Sequence, residues 1–88
     1  MTDYELILIA VKDNKELDKR VEDYVAAFSG KIDSSSKWGK RDFFYPIKKI
    51  ASGFYFEYQL LLPANQIGPL KRRLDLDEEV LRYLLLKS

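Results

Sequence analysis

The residues of this chain best equipped for chemistry or binding are gathered in one stretch. From Trp38 to Lys49 the sequence reads W-G-K-R-D-F-F-Y-P-I-K-K, which places four aromatic and four basic side chains in twelve positions. Rings beside lysine and arginine suit single-stranded nucleic acid, the rings stacking on bases and the cations meeting phosphates. They also suit a protein partner, because Trp, Tyr and Phe are enriched in interface cores. Catalysis has poorer material. The 88 residues include no histidine and no cysteine, which removes the commonest general base, the commonest metal ligand and every thiolate site. Asp77-Glu78-Glu79 is the only carboxylate cluster; adjacent side chains diverge, so it reads as a solvated turn and not as an acid/base pair. With no phosphate-cradling glycine loop either, the expectation is a protein that is not an enzyme and takes no cofactor, metal or small-molecule substrate.

The charge is unevenly spread. The formal net charge is only +1, yet residues 1–36 carry a net −3, residues 37–73 a net +6 and residues 74–88 a net −2. A positive middle between negative ends can hold a polyanion locally while the whole stays near neutral. No apolar run approaches the roughly 18 residues of a membrane span, and Met1 is followed by neither a basic nor an apolar leader segment. A soluble, cytoplasmic protein is expected, and 88 residues suffice for one small domain.

The elements that position these residues follow from hydrophobic periodicity. Tyr4 to Val11 is apolar on both parities after Glu5, as in a central strand covered on each side. Asp13 and Asn14, with Glu16, offer a capping box, and Leu17, Val21, Tyr24, Val25 and Phe28 form one stripe of a helix. Gly30 suits its left-handed C-terminal cap. Lys31 to Tyr45 reads as a long second strand, re-aimed by a bulge at Gly39, unless its three serines mark a loop. Pro46 to Gly53 reads as a connection with a turn at Ser52-Gly53. Phe54, Phe56, Tyr58, Leu60 and Leu62 alternate with Tyr55, Glu57, Gln59 and Leu61 as a third strand, and Pro63 ends it. A second helix begins after Gly68, with Pro69 in its first position. Val80 to Lys87 forms a last strand, although its leucines leave a helix open.

Strand, helix, strand, strand, helix, strand in so short a chain gives a four-stranded antiparallel sheet with both helices on one face, the α+β ferredoxin-like βαββαβ sandwich. Its helix-facing set is Phe54, Phe56, Tyr58, Leu60 and Leu62. The other face then shows Tyr55, Glu57, Gln59 and Leu61, an uncovered surface of the kind that takes a partner. The fold alone names no function. An RNA-recognition module would show its aromatic run on the third strand, and G-F-Y-F-E-Y is a partial match interrupted by an acid.

A more specific likeness spans the chain from Tyr4 to Lys87. W-G-K-R-D-F-F-Y-P-I-K-K, then S-G-F-Y-F-E-Y, then V-L-R-Y-L-L-L-K, with Tyr4-Glu5 at the start, resembles the bacterial small-subunit ribosomal protein S-six family. Its signature falls on Gly39, Arg41, Tyr45, Ile47 and Lys48. The resemblance implies a structural ribosomal component that binds small-subunit ribosomal RNA as a pair with ribosomal protein S-eighteen. On that reading Arg41, Lys48, Lys49, Arg82 and Lys87 meet phosphates, and Trp38, Phe43, Tyr45 and Tyr55 anchor the protein partner. The alternative is a ferredoxin-like protein-protein module acting off the ribosome. The chain departs from the family pattern at Phe43 and Phe44, where a leucine and a small residue are usual, so a large ring stands where little room is expected. Thr2 and Asp3 also stand where an arginine commonly precedes Tyr4.

Overall fold

A computed structural model describes residues 1–12, 15–47 and 49–87. In chain order it contains β1 (Thr2–Ala10), α1 (Lys15–Ala27), β2 (Lys31–Ile47), β3 (Ile50–Leu62), a 3-10 turn (Ala64–Gln66), α2 (Ile67–Asp75) and β4 (Val80–Lys87). The strands form one antiparallel sheet in the order β2-β3-β1-β4. This is the expected ferredoxin-like arrangement, with β1 and β3 central and β2 and β4 at the edges. Asp13 and Asn14, the expected helix cap, lie outside the described residues.

The core follows from the register of the central pair. Leu6 stands opposite Tyr58 and Leu8 opposite Phe56. These side chains, with Leu60 and Leu62, pack on Leu17, Val21 and Val25 of α1 and on Leu70 and Leu74 of α2, all nearly inaccessible to water. Both helices therefore cover the same face of the sheet. Burying side chains of this size stabilises by about 1.5–3 kcal/mol each.

Local geometry differs from the sequence reading in four places. The left-handed residue that ends α1 is Ser29, at φ 65°, not Gly30. The Ser29 N–H donates to the Ala26 carbonyl at 3.1 Å and the Gly30 N–H to the Val25 carbonyl at 2.9 Å, the paired bonds of a Schellman motif. Gly30 is needed one position later, because a Cβ there would stand 2.6 Å from both the Leu61 carbonyl oxygen and Leu62 Cδ1. The connection after β2 is also shorter than expected: β2 runs on to Ile47, which pairs with Ile50, and Ser52-Gly53 lies inside β3. Left-handed Lys49, at φ 67°, enters the new strand. The second helix starts at Ile67, so Pro69 is its third residue, where a missing N–H still costs no helical hydrogen bond. The three serines are in the strand, opposite Gln59, Tyr58 and Glu57, and Val80–Lys87 is a strand paired with β1.

The fourth difference concerns Asp77, which is no solvated turn residue. Its side chain is only 5% exposed and accepts from Arg20 Nε at 3.1 Å, Arg20 Nη2 at 3.2 Å, the Tyr24 hydroxyl at 2.8 Å and the Glu79 N–H at 3.0 Å. Arg20 also reaches Glu79 at 3.2 Å, and the Arg73 guanidinium lies 5.1 Å from the centre of the Tyr24 ring. Sequence neighbours could not reveal this, since the partners are on α1, more than fifty positions away. The cluster ties α1 to the connection between α2 and β4.

Burial by itself pushes the Asp77 pKa up, but the hydrogen bonds from Arg20, Tyr24 and Glu79 outweigh it and hold the pKa below the usual carboxylate value. The stabilisation this brings is full above the unfolded pKa of about 3.9 and disappears as pH falls through the lower folded value. We predict that Asp77→Asn costs about 2 kcal/mol at neutral pH. Urea unfolding of both proteins checks this, and the gap should narrow as the pH is taken below about 4. An equal gap at pH 7 and in acid would refute the assignment.

Candidate interface on the open sheet face

The face turned away from the helices is built from the second parity of each strand. Across the sheet, Ile9 stands between Tyr55 and Arg82, Ile7 between Glu57 and Leu84, and Glu5 between Gln59 and Leu86. Leu84 and Leu86 are about half exposed, which makes an apolar stripe with nothing from the described residues packed over it. The stripe is polarised. At one end the Gln59 side-chain amide donates to Glu5 at 3.0 Å, and partial burial with the neighbouring Glu5 carboxyl holds the Glu57 pKa above its ordinary value. At the other end are aromatics and arginines.

Of the three irregularities in β2, one at Asp33 sets which residues face outward and two lie at that second end. Lys37 pairs with Phe56 and Gly39 with Tyr55, so Trp38 is an extra residue between two consecutive partners. Gly39 carries the distortion at φ 86°, a conformation open to glycine and costly for residues with a Cβ. Trp38, next after the helix-facing Lys37, lies on the open face, its ring nearly parallel to Tyr55 with centroids 6.3 Å apart. The other irregularity at that end is larger. Asp42 pairs with Ser52 and Ile47 with Ile50, so Phe43, Phe44, Tyr45 and Pro46 stand where β3 has only Ala51. Such a bulge suits Pro46, which has no N–H to give to a ladder.

Phe43 turns inward from this bulge, lying 6.3 Å from Tyr55 at a tilt of 52° and passing over Gly53. Tyr45 and Phe44 turn outward and are 84% and 102% exposed. Phe44 therefore crowds nothing, contrary to the expectation from its size. Trp38, Phe43, Tyr45 and Tyr55 border one open groove of about 760 Å³ together with Arg41, Asp42 and Arg82. Among the described residues neither arginine has an ion-pair partner within 4.0 Å.

Six of the nine expected binding residues thus meet at one groove: Trp38, Arg41, Phe43, Tyr45, Tyr55 and Arg82. Lys49 is beside it, at the hairpin that closes β2 onto β3. Lys48 lies outside the described residues. Lys87 is not brought there: it pairs with Tyr4, five positions along β4 from Arg82, which is about 17 Å of strand. Its parity is that of Tyr4, which faces the helices.

The positive middle is divided as well. Lys37 points to the helix side, 3.4 Å from Asp18 and 5.9 Å from the Phe56 ring centre, while Lys71, Arg72 and Arg73 belong to α2. Phe44, Ile9, Leu84 and Leu86 also belong to the surface; the sequence reading marked Phe44 as a departure from the family pattern and named none of the four as a binding residue. Among the described residues no group of three or more acidic side chains is placed to hold a metal ion, and no helix is long and apolar enough to cross a membrane.

Gly53 keeps the aromatic group in place. A Cβ there would stand 2.8 Å from Phe43 Cζ, 2.9 Å from Ile9 Cγ2 and 3.1 Å from the Ala10 carbonyl oxygen, so the rings or the strand must shift. We predict that Gly53→Ala costs about 1–3 kcal/mol by overpacking and changes the near-ultraviolet circular dichroism of the Trp38 and Tyr55 pair. An unaltered spectrum and unfolding midpoint would show that the contact is not needed.

Comparison with known proteins gives the same picture. A family model described as "Ribosomal protein S6" matches residues 3–87. The small ribosomal subunit protein bS6 of Dictyoglomus turgidum is 32% identical over 77 residues, covering 88% of this chain and 79% of that protein. The bS6 protein of Geobacter metallireducens is 37% identical over 89 residues, covering 96% and 75%; that of Rippkaea orientalis is 38% identical over 74 residues, covering 84% and 59%. Among solved structures, the crystal structure of 30S ribosomal protein S6 from Thermotoga maritima superposes with a TM-score of 0.87 at 25% identity, covering 99% of this chain and 87% of that one. With the strand order, the groove signature and these likenesses in agreement, the chain belongs to the ribosomal protein S6 family of the small ribosomal subunit.

Proposed function

We propose that the chain is a single-domain structural component of the small ribosomal subunit that binds ribosomal RNA jointly with a protein neighbour, ribosomal protein S-eighteen, and has no catalytic role. The observation that carries this is the groove itself: two arginines without ion-pair partners among the described residues, beside a packed group of aromatics. Unpaired, exposed guanidiniums pay little to leave water for a phosphate, and each phosphate neutralised releases counterions. Arg41 and Arg82, with Lys49 at the hairpin, take the phosphates, and Lys48 is assigned the same role from the sequence. Lys87, at the far end of β4, contacts a different part of the RNA.

The aromatic group has the other role. Phe43 and Tyr55 are partly buried in the free chain, Trp38 is exposed but stacked on Tyr55, and the group continues into the stripe of Ile7, Ile9, Leu84 and Leu86. Such rings, already ordered, lose little side-chain entropy on docking. Tyr45 completes the protein contact at its rim. The carboxylates Glu5 and Glu57 repel RNA from the opposite end of the face and leave that end to protein.

The test is binding to small-subunit ribosomal RNA over a range of salt, with and without the protein neighbour. Affinity should fall steeply with salt, and Arg41→Ala and Arg82→Ala should each lower the slope of log K against log salt by about 1. Correctly folded protein that ignores both RNA and neighbour would sink the proposal. Salt-insensitive self-association in its place would favour a protein-protein module acting off the ribosome.

A further inference from the structure

Among the described residues Phe44 is the one large ring that the fold leaves wholly in water, at 102% exposure. Leaving it there forgoes the free energy of burying a whole aromatic side chain. Nothing in the sheet forces this position, because the ladder is interrupted from Phe43 to Pro46 and the pairing register dictates neither face for these residues. Its surroundings are cationic: it shares the groove with Arg41 and Arg82, and Asp42 is the carboxylate there.

We propose that Phe44 stacks an unpaired nucleotide of the RNA, whose phosphate is held by Arg41 or Arg82. This rests on the RNA-binding reading above and deepens it by naming the ligand of one residue. An exposed π-face with guanidiniums alongside is the arrangement that takes a splayed-out base. A protein partner is the poorer occupant at this point, because protein interface cores are depleted of charged groups. The apolar part of the face, suited to such a core, lies on the other side of Phe43. Stacking is tolerant of base identity, so the contact adds affinity without sequence preference.

The experiment compares the full chain with Phe44→Ala and Phe44→Tyr, using small-subunit ribosomal RNA at a fixed saturating concentration of the protein neighbour. Affinity for that neighbour alone is measured in parallel. Because the Phe44 ring is wholly exposed, both variants should unfold at the wild-type midpoint. Phe44→Ala should weaken RNA binding by about 5- to 150-fold with an unchanged salt slope, and Phe44→Tyr should bind like the wild type. Irradiation at short ultraviolet wavelength should leave a nucleotide adduct on the peptide spanning Phe44. Wild-type RNA affinity in Phe44→Ala, or a loss that appears equally in binding to the protein neighbour alone, overturns the stacking role while leaving the RNA reading intact. Failure of the wild type to bind RNA overturns both.

Discussion

The pairing of β1 with β3 sets everything else in this molecule. Its register places Leu6 against Tyr58 and Leu8 against Phe56, and the two helices must lie on that side because it is where their own apolar stripes can be buried. A slip of one residue would turn the whole set to the other face. Two short helices have only enough surface to cover one side of a four-stranded sheet. The second side stays open, although Ile7 and Ile9 make β1 apolar there too. An uncovered apolar face in a chain of this size is thus a direct result of its topology, and a partner is the natural means of covering it.

The groove arises from defects in regular structure and not from regular structure itself. In a bulge-free β2 the alternation from Ile32 would set Trp38 on the helix side, because Ile32 stands opposite the buried Leu60. The extra residue at Asp33, between Ile32 and Ser34, inverts that parity, so Lys37 lies on the helix side and Trp38 on the open face; the bulge at Gly39 then sets Trp38 and Gly39 together opposite Tyr55. The extra residues from Phe43 to Pro46 then separate an inward ring from two outward ones. Edge strands tolerate such insertions because only one neighbour has to accommodate them, and a bulged, charged edge also resists unwanted strand pairing.

Charges are used in two opposite ways. Arg20, on the helix side, is consumed by Asp77 and Glu79, and Lys37 is engaged by Asp18; these pairs hold elements together. On the open face Arg41 and Arg82 have no such partners among the described residues. A net charge of +1 therefore conceals a sorted distribution in which most cations are committed to other faces and a few are left available to an anionic ligand.

The fold was legible in the sequence because it rests on periodicities that a single chain displays: the helical stripe from Leu17 to Phe28, the alternation from Phe54 to Leu62 and the doubly apolar run from Leu6 to Val11. Gly39 announced its bulge, since few other residues accept φ near 86°. Most of the candidate groove was legible as composition, in the crowding of rings and cations between Trp38 and Lys49. What the sequence could not determine is what becomes of each of those side chains, because that depends on pairing between strands far apart in the chain. Only the tertiary structure separated Lys87 from Arg82, moved Lys71, Arg72 and Arg73 to another surface, buried Asp77 against Arg20 and left Phe44 in water. Local pattern fixes which residues can share a face; long-range register decides which of them meet.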